Sequence, residues 1–273
     1  MIVVDKIKRY IEKIIKILSI KELSILPAYL SYSLVLALIP IMTIIVVVSG
    51  IFSISIDTVI GFINDFLPSY ASDVIVGAIS GRSFDLSIGV LNLATFVVAT
   101  NGMYAIINAS NNLYRIQSSS QVKDRLRALL ILVIMITLLL FLIVVPMLGD
   151  KIIGLISNYN ISERVLEMIS LLYEALKWPL TLILLFFAIK LIYIIAPSVK
   201  IKSSDVTIGA FVTTIGWALF TAIFSYYIKY FGKYDIVYGG LASIIILLIW
   251  FYVLSYILIL GIVINTRKYN KQE

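Results

Sequence analysis

The sequence contains neither histidine nor cysteine. Their absence excludes a Ser-His-Asp or Cys-His nucleophile pair, an imidazole general base, and any zinc or iron–sulfur site built from Cys or His. Disulfides are excluded as well, so cysteine carries no message about redox compartment. Charge is also scarce: 14% of the 273 residues are Asp, Glu, Lys or Arg, where a soluble domain carries about 25%. In their place stands a surplus of apolar residues, 61% by count, with a mean hydropathy of +1.07. A chain of this length still needs a wetted surface, so a core cannot hide that surplus. Lipid must supply much of the solvent.

The net charge is +7, from 22 basic and 15 acidic residues. Its distribution argues for membrane topology rather than nucleic-acid binding. Residues 1–25 read as an amphipathic helix in which Lys6, Arg9, Lys13 and Lys16 share one face and Ile7, Ile11, Ile14 and Leu18 the opposite one. Such a helix suits the headgroup region of an anionic leaflet, with the four basic residues as its lipid contacts. The alternative is an ordinary surface helix packed on the rest of the protein. Its lysines interrupt the continuous apolar core that a cleavable signal peptide needs.

Apolar runs long enough for a ~30 Å hydrocarbon layer fall at about 27–52, 88–108, 126–148, 171–196, 206–229 and 239–265. This predicts an all-α, polytopic membrane protein of six transmembrane helices in one domain, 1–273, with amphipathic interfacial helices beside them. Pro40 interrupts the first run and predicts a kink. Residues 56–80 and 151–170 read as amphipathic helices along a membrane face, the second capped by Asn160 with Glu163 three residues on. Basic residues gather in the N-terminal arm, in the turn with Arg115, Lys123, Arg125 and Arg127, around Lys200 and Lys202, and at Arg267, Lys268 and Lys271. The positive-inside rule makes that side cytoplasmic, with both termini on it, in the cell membrane.

Three constellations stand out. Asn101, Tyr104, Asn108 and Asn112 share one face of the second span, and Asn111 enriches the same end. Amides in hydrocarbon need partners, so these residues, with Tyr32 and Pro40 from the first span, line a polar cavity or act as interhelical glue. Gly209, Thr213 and Gly216 form a small-residue face of the fifth span, suited to close helix packing. The turn before the last span places Gly232, Tyr234, Asp235, Tyr238 and Gly239 where tyrosines sit at an interface and glycines permit an unusual backbone.

Several stretches together resemble the YihY/virulence factor BrkB family, historically labelled ribonuclease BN. They are Tyr32-Ser33-Leu34 through Leu38-Ile39-Pro40, Asn108 to Tyr114, Phe231-Gly232-x-Tyr234-Asp235-x-x-Tyr238-Gly239, Trp250-Phe251-Tyr252 and Gly261-x-x-x-Asn265. Val263 stands where the family has Glu, and Asp235 where Asn is common. The resemblance implies six spans with cytoplasmic termini and a role in the cell envelope, with lipid or amphiphile transport and virulence as the associations. The residues predict no enzyme and no cofactor: phosphodiester hydrolysis wants a metal cluster or an acid/base pair, and the carboxylates are scattered. The expected function is a non-enzymatic transporter or flippase-like protein for a lipid or amphiphile. The alternative is a membrane scaffold for envelope assembly. Membrane lipids are the expected partners in either case.

Overall fold

The computed structural model describes residues 25–36, 86–117, 120–157, 163–231 and 241–269, with isolated positions between 55 and 76. The N-terminal arm with Lys6, Arg9, Lys13 and Lys16, Pro40, Asn160, and the turn with Gly232, Tyr234, Asp235, Tyr238 and Gly239 lie outside the described residues. So does most of the stretch 56–80.

The described chain is helical throughout, with short turns. A short apolar helix α1, Ile25–Leu36, is followed by α2, Leu86–Tyr114, and α3, Gln121–Ser157. Then come α4, Glu163–Ile195, α5, Thr207–Phe231, and α6, Ala242–Tyr269. Among the described residues, three helices are long and apolar enough to cross a membrane: Arg164–Ile195, Thr207–Tyr230 and Ala242–Thr266. At ~1.5 Å per residue, the 29 and 37 residues of α2 and α3 also exceed the ~30 Å hydrocarbon layer. The protein is an all-α polytopic membrane protein. Ile223, 66% exposed, and Leu171, 65% exposed, face outward as lipid-solvated side chains do.

The 151–170 stretch corrects one expectation. It is no separate interfacial helix: α3 runs on to Ser157, and α4 begins at Glu163, well before the apolar run at 171. Pro146 and Gly149 lie inside the continuous α3. Local helix preferences are weak priors, and the neighbouring helices override them.

Sequential helices pack side by side, α2 on α3, α3 on α4, α4 on α5 and α5 on α6, and α6 returns to α2. The result is a closed ring of five helices. Its interior is mainly apolar: Met103 and Ile107 of α2 meet Ile131 and Leu132 of α3, Ile189 and Ile192 of α4, and Ile259 and Ile262 of α6 in one buried cluster. A second cluster joins Phe224 and Ile228 of α5 to Ile246, Leu247, Trp250 and Leu254 of α6. Without a hydrophobic effect inside lipid, this tight packing and the hydrogen bonds below must supply helix association. Helix α1 leans on the ring where Ser33 abuts Gly102, whose missing side chain makes the approach possible.

Helix ends are set by local chemistry. Helix α2 closes with paired bonds, Ile116 N–H to the Asn111 carbonyl at 2.8 Å and Arg115 N–H to the Asn112 carbonyl at 3.1 Å. That is the Schellman pattern, which wants glycine at the left-handed position. Here Arg115 occupies it, with φ 56°. An L side chain there costs about 1 kcal/mol, so Arg115→Gly is expected to raise stability by up to that amount. Thermal unfolding in detergent checks it, and an unchanged or lower midpoint would contradict it. Pro197 stands just past the end of α4, where it cannot continue the helix.

Candidate functional site

The turns that join α2 to α3 and α4 to α5 meet at one end of the ring. There Asn111, 4% exposed, gives its amide N–H to Ser198 Oγ at 2.8 Å and accepts the Ser198 backbone N–H at 2.8 Å. Ser198 Oγ donates to Asp124 Oδ1 at 2.9 Å. Arg127 Nη1 donates to the same carboxylate oxygen at 2.8 Å, and Arg127 Nη2 approaches the Ser198 carbonyl at 3.4 Å. Asp124 is 1% exposed, whereas the Arg127 side chain is 30% exposed. The carboxylate also sits in the first turn of α3, where the helix dipole favours negative charge. One buried anion thus ties three helices together. This is a fastening, and it absorbs Asn111.

The other residues of the asparagine stripe lie elsewhere. Asn108 and Asn112 are exposed, and Asn101 and Tyr104 are half-buried. The structure therefore separates Asn111, turned inward, from its neighbours on the outer face of α2. Arg125, itself exposed, reaches from α3 onto that outer face. Its Nη1 donates to Asn101 Oδ1 at 2.6 Å, and its guanidinium carbon lies 4.5 Å from the centre of the Tyr104 ring. Charge, amide and aromatic ring form a fixed group, because the hydrogen bond and the stacking each constrain a different direction. Tyr32 of α1 is 58% exposed and is not part of it.

The small-residue face of α5 meets α6 and α4. Gly209 N–H donates to Asn265 Oδ1 at 2.9 Å, which satisfies one of the free donors at the start of α5. A Cβ on Gly209 would strike the Asn265 amide and the Gly261 carbonyl. A Cβ on Gly261 would strike Thr213 Oγ1 and the Tyr193 hydroxyl. Tyr193 donates to the Leu258 carbonyl at 2.7 Å, and its oxygen lies 2.6 Å from Thr213 Oγ1. Gly216 faces the Ile257 side chain. The glycines thus let α5 and α6 touch at backbone distance and admit the Tyr193 side chain of α4 against them. Val263, 3% exposed, joins the apolar ring interior.

The family model for virulence factor BrkB matches residues 14–273. The chain belongs to that family. A relative named as ribonuclease-like, YfkH of Bacillus subtilis (strain 168), is 29% identical over 254 residues, covering 90% of each chain. A UPF0761 membrane protein of Aliivibrio salmonicida is 28% identical over 250 residues, 88% of this chain and 76% of its own. A UPF0761 membrane protein of Coxiella burnetii is 37% identical over 92 residues, about a third of each chain at 34% and 33%. No solved structure matches the chain. In this BrkB-family protein, Gly261 and Asn265 of the last helix now have a physical reason. The glycine admits Tyr193 and Thr213, and the asparagine takes the Gly209 N–H.

Sequence reasoning placed the asparagine face but missed the residues that organise it. Asp124, Arg125, Arg127 and Ser198 carried only a topology signal or none. The Asp124 to Ser198 bond spans 74 positions, and no local spacing announces such a partner. Among the described residues no three Asp or Glu side chains gather in a way that could hold a metal ion.

Proposed function

We propose that this membrane protein is a non-enzymatic, flippase-like transporter of the bacterial cell membrane, moving a lipid or another amphiphile, with both termini cytoplasmic. The observation that carries the reading is the polar line on the outer face of α2. Exposed Asn112 and Asn108 lead from the helix end to Tyr104, Arg125 and Asn101 near its middle. An amide exposed on a membrane helix is costly without a polar partner. A headgroup sliding along the stripe would supply one while its tails stay in lipid. The apolar interior of the ring favours such an external path over a central channel. The ribonuclease wording of the YfkH name finds no imidazole here to serve as base.

The test is flux of fluorescent phospholipids in proteoliposomes. Asn108→Leu and Asn112→Leu are each expected to slow it about fivefold, the factor for one lost hydrogen bond of ~1 kcal/mol. Full flux in both variants would sink the external path, and no flux in the wild type across a broad lipid panel would sink transport itself. The same apolar interior supports a second reading, a scaffold for envelope enzymes. In that reading Asn108 and Asn112 bond to partner helices, and the wild type moves nothing.

A further inference from the structure

A guanidinium on a membrane helix normally extends outward to the headgroups. Arg125 does the opposite. It sits in the first turns of α3, yet its partner Asn101 lies at the middle of the 29-residue α2. At ~1.5 Å per residue, Asn101 is about 20 Å from the Tyr114 end of that helix. Asn111, in the same helix, marks the level of the Asp124 fastening. Arg125 is drawn from that level toward the middle of α2, and it stays exposed there.

The neighbours of Arg125 orient the charge without neutralising it. Asn101 offers a neutral carbonyl oxygen, and Tyr104 offers the face of its ring. Among the described residues Arg125 has no carboxylate partner; the ion pair at this end joins Asp124 to Arg127. Lys123 and Arg115 are exposed and add positive potential at the same end. A planar cation, fixed in orientation and left without a carboxylate partner beside the middle of α2, is arranged for an anion that arrives from outside. Its remaining N–H donors match two oxygens of a phosphate.

We propose that Arg125, held by Asn101 and Tyr104, is the binding site for the phosphate of an anionic amphiphile. The depth selects the source. With α2 spanning the bilayer, free phosphate would have to shed its water to reach the middle of that helix, whereas an amphiphile delivers its headgroup along Asn112 and Asn108 with its tails in lipid. The inference rests on the transport reading for its purpose and on the Arg125 geometry for its chemistry.

The test uses the full chain in phosphatidylcholine nanodiscs, with spin-labelled phosphatidylglycerol and spin-labelled phosphatidylcholine as probes. The wild type is expected to retain phosphatidylglycerol about tenfold more strongly, the factor for ~1.4 kcal/mol from charge-assisted bonds. Arg125→Gln should abolish the preference. Arg125→Lys, which keeps the charge but loses the fork and the stacking, should retain part of it, and Asn101→Leu should weaken it severalfold. The first variant removes an uncompensated charge, so it should unfold no earlier than the wild type; a purely structural Arg125 would make it unfold earlier. An undiminished preference in folded Arg125→Gln overturns the site. Displacement of the bound lipid by millimolar inorganic phosphate, with equal retention of both labels, overturns the amphiphile in favour of a soluble anion. Flux without any headgroup preference sinks this site and leaves transport standing. Preference without flux sinks transport and leaves the site standing.

Discussion

Replacing Asp124 with alanine is expected to lower stability by about 2–3 kcal/mol, a fall of roughly 6–10 °C in unfolding midpoint. The carboxylate is 1% exposed and accepts bonds from Ser198 Oγ and Arg127 Nη1. Losing it removes the acceptor of a half-buried hydroxyl and of a guanidinium at once. The penalty for an unpartnered group, rather than the worth of the ion pair, sets the size. Arg127 is 30% exposed, so water recovers part of its loss, which keeps the figure below the ~3–5 kcal/mol of a fully buried pair. Asp124→Asn keeps an acceptor for Ser198 and should cost about half as much. Tryptophan fluorescence during heating in detergent reads both variants, since the chain has 3 tryptophans. An Asp124→Ala protein as stable as the wild type would show that the three helices do not depend on this fastening. Asn111→Leu, which removes both bonds to Ser198, should lower the midpoint in the same direction.

Gly209→Ala is the second substitution expected to act strongly, at about 2–3 kcal/mol. The added methyl meets both the Asn265 amide and the Gly261 carbonyl. The second of these is backbone on the facing helix and cannot swing aside. Helices α5 and α6 must therefore separate, which also stretches the 2.9 Å bond from Gly209 N–H to Asn265 Oδ1. Gly216→Ala supplies the contrast. Its methyl meets only the Ile257 side chain, at a γ-methyl rather than at backbone, and the expected cost is smaller, about 1 kcal/mol. Equal costs for the two substitutions would show that the close approach at Gly209 does not govern this interface.

Much of the architecture was legible in the residues themselves. Apolar runs at helical length foretold helices, and the scarcity of charge foretold lipid as the solvent. The small residues Gly209 and Thr213 foretold a close crossing without revealing which helix would fill it. The asparagines show where such reading stops. Asn111 and Asn112 are adjacent, amide beside amide, and their neighbourhoods in sequence are nearly the same. One is locked beneath Ser198 and the other is exposed. A rotation of ~100° per residue divides them, and only the positions of α3 and α4 decide which side is inside.

The joint between α3 and α4 shows the same limit in local structure. The third apolar run ends at 148, and Gly149, Asp150 and Lys151 follow it before the 151–170 stretch that reads as a surface helix. The helix continues through them to Ser157. A few unfavourable residues cost too little to break a helix whose neighbours hold it on either side.

By composition alone the sequence determined that this protein lives in lipid and that histidine or cysteine chemistry is closed to it, and the length of its apolar runs added that helices satisfy its backbone. Those conclusions follow from the cost of exposing apolar surface and unpaired peptide groups, which depends on the residues present and little on their arrangement. The tertiary structure decided the rest. It brought Asp124 to Ser198 and Arg125 to Asn101, and it set Gly261 against Tyr193. Such pairings act over ångströms between segments far apart in the chain, so their energies exist only once the helices have been placed.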